Sequence, residues 1–402
     1  MQPATATTQP MNINTHLNVI NACRFCFMCR HLATTANVSF READTPRGTA
    51  LLLDRVRMEP AMLSNADYIR ALYDNTLSAS CRQHCVSHYD EAGLVLAARR
   101  DIVEQNHAPA DVRALAEDLT AAFTAKLTGV IRGSDKRQSG SGVPPLFDKR
   151  QDAASTMQSA DIAPKLSGKG GNLLHLRVTD KNNDDTPVAA ALATIAEKVG
   201  AKFATLQTTD TGKAHSVLGY ARQAADIARQ VAALITESAC ETLVTSCPAA
   251  YDALKNDYPA WGIQLPKTLR ILHTTEWLAE LLEQKKLAAA TKAPAAPACA
   301  CISSDYLRNY NNAELPLVLL RSLGYAPKPF GTNSEESFAL GEGAVIFARL
   351  RPDLTKLLVQ RLAQHMDSPD DTIITSSPYT RRILAEAKIP VLSLEEAVAA
   401  RI

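Results

Sequence analysis

The sequence predicts an α+β fold: an N-terminal helical unit over 16–130, then two repeated α/β halves over 172–290 and 298–402. Three observations predict it. Aromatic residues make up 5% of the chain and alanine is abundant, which favours helix packing over an all-β sandwich. Beyond residue 172, short apolar runs alternate with amphipathic stretches, as in parallel strands joined by helices. The second region also repeats itself. Glu241-Thr242-Leu243-Val244-Thr245-Ser246-Cys247-Pro248 is echoed by Asp371-Thr372-Ile373-Ile374-Thr375-Ser376-Ser377-Pro378. Ile271-Leu272-His273-Thr274-Thr275-Glu276 is echoed by Val391-Leu392-Ser393-Leu394-Glu395-Glu396.

In the helical unit, Asp44-Thr45-Pro46-Arg47-Gly48 is a helix start, with Thr45 as N-cap and Pro46 at the first helical position. Helical patterns recur over 66–78, 90–105 and 110–128. The stretch 131–171 is rich in Gly, Ser, Lys, Asp and Pro without apolar periodicity and reads as a linker. Strands are expected over 173–178, 202–206, 242–246, 270–273, 345–348, 372–375 and 391–392. Helices are expected between them, among others over 187–199, 216–237 and 274–285. The Ala/Pro/Lys segment 289–297 reads as a short connection between the halves.

Composition excludes some classes of function. The formal net charge of +1 supplies no basic field for nucleic acid. With 46% hydrophobic and 21% charged residues the chain can bury cores, yet no run of about 18 apolar residues would span a bilayer. Residues 1–14 are Thr/Gln/Pro-rich and lack the apolar stretch of a signal peptide. The expected location is the cytoplasm, with peripheral attachment at the inner face of the membrane as the variant.

The nine cysteines are unevenly spread, five of them before residue 90. An odd count in such a chain argues against a disulfide framework and for a metal site. Cys23-Arg24-Phe25-Cys26-Phe27-Met28-Cys29 is C-x2-C-x2-C, a spacing that wraps three thiolates around a cubane cluster. In two-cluster motifs a fourth cysteine follows and ligates the other cluster. Here that position is Ala33. Cys81-Arg82-Gln83-His84-Cys85 resembles the tail of a second motif whose first two cysteine positions fall on Asn75 and Ser78. The expected site is therefore one [4Fe–4S] cluster on Cys23, Cys26, Cys29 and Cys85, with Cys81 the alternative fourth ligand. Zinc is the competing metal, although structural zinc sites usually pair two C-x2-C knuckles. His31, His84 and His88 flank these segments and read as surface histidines. Phe25, Phe27 and Met28 are expected to shield the cluster from water.

Together, the segment 23–29 and Asp44-Thr45-Pro46-Arg47-Gly48 resemble the iron–sulfur subunits that accompany flavin dehydrogenases. These include those of glycolate oxidase and anaerobic glycerol-3-phosphate dehydrogenase, and the related heterodisulfide reductase subunits. The resemblance covers nearly the whole chain apart from the N-terminal tail and 132–171. It implies an N-terminal ferredoxin-like domain followed by two cysteine-rich domains of the CCG type. It also implies an FAD-dependent dehydrogenase subunit as partner, and a quinone or membrane-associated acceptor. The CCG positions fall on Thr208-Thr209 and on Ala339-Leu340-Gly341. The Cys-Pro-x-Cys positions fall on Cys247-Pro248-Ala249-Ala250 and Ser377-Pro378-Tyr379-Thr380, and a further ligand position on Asp305. Such side chains cannot replace soft thiolates, so no metal is expected in the halves and heterodisulfide reduction is disfavoured. Cys240, Cys247, Cys299 and Cys301 read as small buried hydrophobes.

The functional expectation is an electron-transfer subunit that relays electrons from a flavin dehydrogenase through one cluster, without catalytic residues of its own. Its rival is a structural or assembly subunit whose cluster lies outside the electron path. A stand-alone nucleotide-binding enzyme is disfavoured, because Leu166-Ser167-Gly168-Lys169-Gly170-Gly171 has no strand before it.

Overall fold

In the computed structural model, which describes residues 11–133, 173–179, 185–288, 298–311, 315–331 and 335–402, helices surround two four-stranded parallel sheets. The first sheet holds β1 (Leu173–Val178), β2 (Phe203–Thr208), β3 (Thr242–Thr245) and β4 (Arg270–His273) in the order β2-β1-β3-β4. The second holds β5 (Ala298–Ile302), β6 (Ala326–Pro329), β7 (Thr372–Thr375) and β8 (Val391–Ser393) in the order β6-β5-β7-β8. The two orders are the same. Both copies of each repeated sequence occupy equivalent places: β3 and β7 are the third strands of their sheets, and β4 and β8 the fourth. Even the helix starts match. The His273 imidazole accepts from Thr275 N at 3.2 Å while Glu276 accepts from His273 N at 3.0 Å. In the second half, Ser393 Oγ accepts from Glu396 N at 3.1 Å and Glu396 from Ser393 N at 2.7 Å.

Four sequence expectations need correction. Residues 345–348 form no strand: Glu342–Ala344 is a 3-10 turn and Phe347–Leu350 a short helix, with Ile346 and Phe347 buried in the core shared with the helical unit. The strands β5 and β6 were not foreseen. Ala-Cys-Ala-Cys-Ile carries no alternation, and Ala-Pro-Lys-Pro is tolerated because β6 is an edge strand that need not donate to a further neighbour. The helix expected over 216–237 is two, Lys213–Leu218 and Ala221–Glu237. Gly219 breaks it with φ at 98°, and a Cβ there would lie 2.3 Å from the Arg99 carbonyl oxygen. Finally, the helix Ala110–Gly133 runs into the expected linker. The remainder of 131–171, and the connection 289–297, lie outside the described residues.

Packing joins the three regions. One core combines Leu53, Leu72 and Leu94 of the helical unit with Leu340, Phe347 and Leu358 of the second half. Another joins Leu192, Val244 and Trp277 of the first half to Leu319, Ile374 and Leu394 of the second. Polar ties reinforce this. Arg99 is fully buried and donates to the carbonyls of Leu72 (3.0 and 2.8 Å), Asn75 (2.7 Å) and Val217 (2.7 Å), linking the helical unit to the first half. Buried Asp74 accepts from Arg351 Nε at 2.6 Å, linking it to the second. Among the described residues no helix is long and apolar enough to cross a membrane.

Candidate metal centre

The segment carrying the first three cysteines leaves the helix Leu17–Cys23 and enters the 3-10 helix Arg30–Leu32 through consecutive tight turns. Cys26 N donates to Cys23 O at 3.1 Å, Arg30 N to Phe27 O at 3.1 Å, and Leu32 N to Cys29 O at 3.0 Å. The first of these turns closes Cys26 on Cys23, and the last begins at Cys29. The loop is pinned from below. Arg24 pairs with Asp54, and Arg47 Nε donates to Arg24 O at 3.3 Å. Both partners belong to the helix Pro46–Met58, which begins as expected, with Thr45 Oγ1 accepting from Gly48 N at 2.9 Å.

Cys81 and Cys85 come from the helix Ser80–His84 and its C-cap, where Cys85 N donates to Cys81 O at 3.0 Å. The structure brings them to the loop. Burial raises the Cys23 thiol to about 12, and Glu91, Cys29, Cys85 and Cys26 push it the same way. Cys23 thus shares one electrostatic environment with the other three expected ligands. Cys81 is buried and donates to Cys29, its sulfur 4.0 Å from the Cys29 carbonyl oxygen. A contact between the two thiols lowers Cys29 and, together with burial, raises Cys81, so Cys29 ionises first. Cysteines gathered on one loop and one helix end offer thiolates to a cationic group that neutralises them. Cys23, Cys26, Cys29 and Cys85 would hold such a group.

At the positions that the resemblance would give to a second cluster, the structure has polar pairs. Asn75 Nδ2 donates to Glu91 at 2.7 Å, and the hydroxyls of Ser78 and Thr34 lie 3.4 Å apart. Burial pushes the Glu91 carboxyl up to about 7, against the Asn75 hydrogen bond. Sequence reading singled out Asn75 and Ser78 but not Glu91, which resembles any helix-face carboxylate.

The shielding role expected of the intervening side chains is not what the structure places there. Phe25, Phe27 and Met28 are 75%, 70% and 67% exposed, and Val86 beside Cys85 is 97% exposed. Cys26 is exposed among them. Of the histidines, His31 is exposed, His88 Nδ1 lies 3.1 Å from Arg82 O, and His84 Nδ1 lies 2.6 Å from Glu335 Oε2.

In the halves, Thr209, Cys247, Glu342 and Ser377 line one cavity of about 70 Å³. Thr209 and Cys247 of the first half and Ser377 of the second, positions to which the resemblance assigns cluster ligands, therefore line one cavity. Beside it, Glu342 Oε2 accepts from Asp305 N at 2.7 Å, and Ser337 Oγ donates to Asp305 at 2.6 Å. Burial, then the Asp305 carboxyl, push Glu342 up to about 8; burial pushes Asp305 up to about 6. Burial pushes the Cys247 and Cys301 thiols up to about 12, while Cys240 and Cys299 are buried in the cores of the halves. Comparisons of the chain with protein families, with characterised proteins and with solved structures returned no match.

Proposed function

We propose that this chain is an iron–sulfur electron-transfer subunit with one [4Fe–4S] cluster held by Cys23, Cys26, Cys29 and Cys85. In this reading 16–130 is a ferredoxin-like domain, and the α/β halves are CCG-like domains that have lost their ligands and serve to dock and brace. The partner is an FAD-dependent dehydrogenase subunit, and the electron passes on to a quinone or another membrane-associated acceptor.

The observation that carries the proposal is the pairing of a four-cysteine set with an exposed apolar rim. Phe25, Phe27, Met28 and Val86 stand in solvent next to the ligand cysteines, where a monomer has no reason to leave four large apolar side chains. A cluster kept only for stability needs no such rim; a relay needs a partner to cover it. The cluster, when bound, supplies one-electron redox chemistry. The chain's own part is positioning: Asp54 holds the loop through Arg24, and Asn75 holds the Glu91 carboxyl near the cysteines. No three cysteine sulfurs among the described residues lie within 4.8 Å of one another, a spread wider than a lone zinc ion draws together.

The test is reversibility. Anaerobically purified protein should be reduced by photoreduced FAD and reoxidised by a soluble quinone through repeated cycles without loss of iron. A cluster that stays oxidised, or is destroyed in the first cycle, would support the assembly-subunit reading instead.

A further inference from the structure

We propose that His31, His84 and Glu335 form a second metal site, separate from the cysteines, for a borderline divalent ion such as Zn²⁺. His31 follows the cysteine loop in the 3-10 helix Arg30–Leu32, His84 lies in the helix Ser80–His84, and Glu335 comes from the second α/β half. One ligand atom from each, two imidazole nitrogens and a carboxylate oxygen, lies within 4.8 Å of the others. Among the described residues no other group of three or more His, Cys, Asp or Glu meets that condition. The imidazoles meet edge to face with centroids 5.0 Å apart, and His84 Nδ1 already lies 2.6 Å from Glu335 Oε2. Ligands of a tetrahedral zinc lie about 3.3 Å apart, given Zn–N and Zn–O bonds of about 2.0 Å. Opening the His84–Glu335 contact by less than about 1 Å brings that pair to the spacing of zinc ligands.

The arms of the site are held independently of it. Asn37 Nδ2 donates to His31 O at 2.8 Å and to Glu336 Oε1 at 2.9 Å, fixing the His31 turn against the segment that carries Glu335. Arg361 braces Glu336 from the other side at 2.7 Å. The helix bearing His84 is tied to the second half through Gln83 Nε2 to Asn309 O at 3.1 Å and Arg308 Nη2 to Ser80 Oγ at 3.0 Å. Two imidazoles and one carboxylate are the donor set of open zinc sites, with a fourth position left to water. All three residues are exposed or half-buried, so the ion has a path in. Bound there, it would clamp the helical unit to the second half beside Cys29 and Cys85.

The experiment is equilibrium dialysis of the full chain, purified anaerobically, against Zn²⁺, followed by zinc X-ray absorption. One Zn²⁺ per chain with nitrogen and oxygen neighbours near 2.0 Å and none of the sulfur expected near 2.3 Å is the predicted result. His84→Ala and Glu335→Gln should each weaken zinc binding at least tenfold, while His88→Ala and the iron content of every variant stay unchanged. Absence of stoichiometric zinc, sulfur in the first shell, or undiminished affinity in His84→Ala would overturn the site and leave an ordinary ion pair. The result is independent of the cluster: a chain without iron that still binds zinc through nitrogen and oxygen would keep this site and lose the relay.

Discussion

The Cys81 sulfur lies 4.0 Å from the Cys29 carbonyl oxygen, buried under the loop that carries the first three cysteines. Cys81 is a hydrogen-bond donor to that loop, whereas Cys85 sits half-buried at the end of the same helix. The roles of the two cysteines differ accordingly. Cys81→Ser should retain about four irons per chain, and Cys23→Ala or Cys85→Ala should lose them. Cys247→Ala, in the cavity between the halves, should leave iron untouched. Colorimetric iron on the purified variants decides; full iron in Cys85→Ala with none in Cys81→Ser would exchange the fourth ligand.

Arg99 supplies donors to three carbonyls, those of Leu72 and Asn75 within the helical unit and that of Val217 across the joint in the first half. Arg99→Met leaves those acceptors buried without partners, at about 1–3 kcal/mol for each unsatisfied group. A loss of roughly 3 kcal/mol or more is expected in urea unfolding, and an unchanged midpoint would show that water replaces the guanidinium.

Gly219 occupies a left-handed conformation at φ 98°, directly against the Arg99 carbonyl. Gly219→Ala is expected to cost about 1–2 kcal/mol for the backbone alone, with the steric contact adding to it. Because the Arg99 side chain donates to the Val217 carbonyl two residues before Gly219, the double variant with Arg99→Met should fall short of additivity. Simple addition of the two losses would mean that the joint is not shared.

The sequence announced those features whose causes are local. Thr45-Pro46-Arg47-Gly48 marks a helix start because cap and capped amide are three residues apart. The repeated strands were readable because Thr242–Thr245 and Thr372–Thr375 are rich in β-branched residues and each is followed by a serine and, two residues later, a proline that starts a helix. Val345-Ile346-Phe347-Ala348 is likewise a short run with β-branched residues and misled, because its burial comes from packing against the helical unit rather than from a sheet. The cysteine spacing was legible for the local reason that all three cysteines lie in one seven-residue segment. His31, His84 and Glu335, like Asp305 and Glu342, are remote or ordinary in sequence, and only folding gives them each other.

The Glu342 and Asp305 carboxyls predict a pH dependence of definite sign. Burial raises both, to about 8 and about 6, so the folded chain holds protons that the unfolded chain releases. Stability from this pair is complete below the ordinary carboxylate range and is lost as pH rises from there through about 8. Glu91, raised to about 7, acts in the same direction. Glu342→Gln keeps the shape without the charge. It should flatten the decline in melting temperature between pH 5 and 8 and melt higher than the parent at the upper end. An equal slope in both proteins would refute the assignment.

The central claim is the single cluster, and iron and sulfide analysis with low-temperature EPR on anaerobically purified protein, before and after dithionite, addresses it most directly. About four irons and four sulfides per chain, with a signal of spin one-half appearing only on reduction, is the predicted result. Zinc in place of iron, or no metal on the cysteines, would contradict it and leave a two-sheet scaffold without a relay.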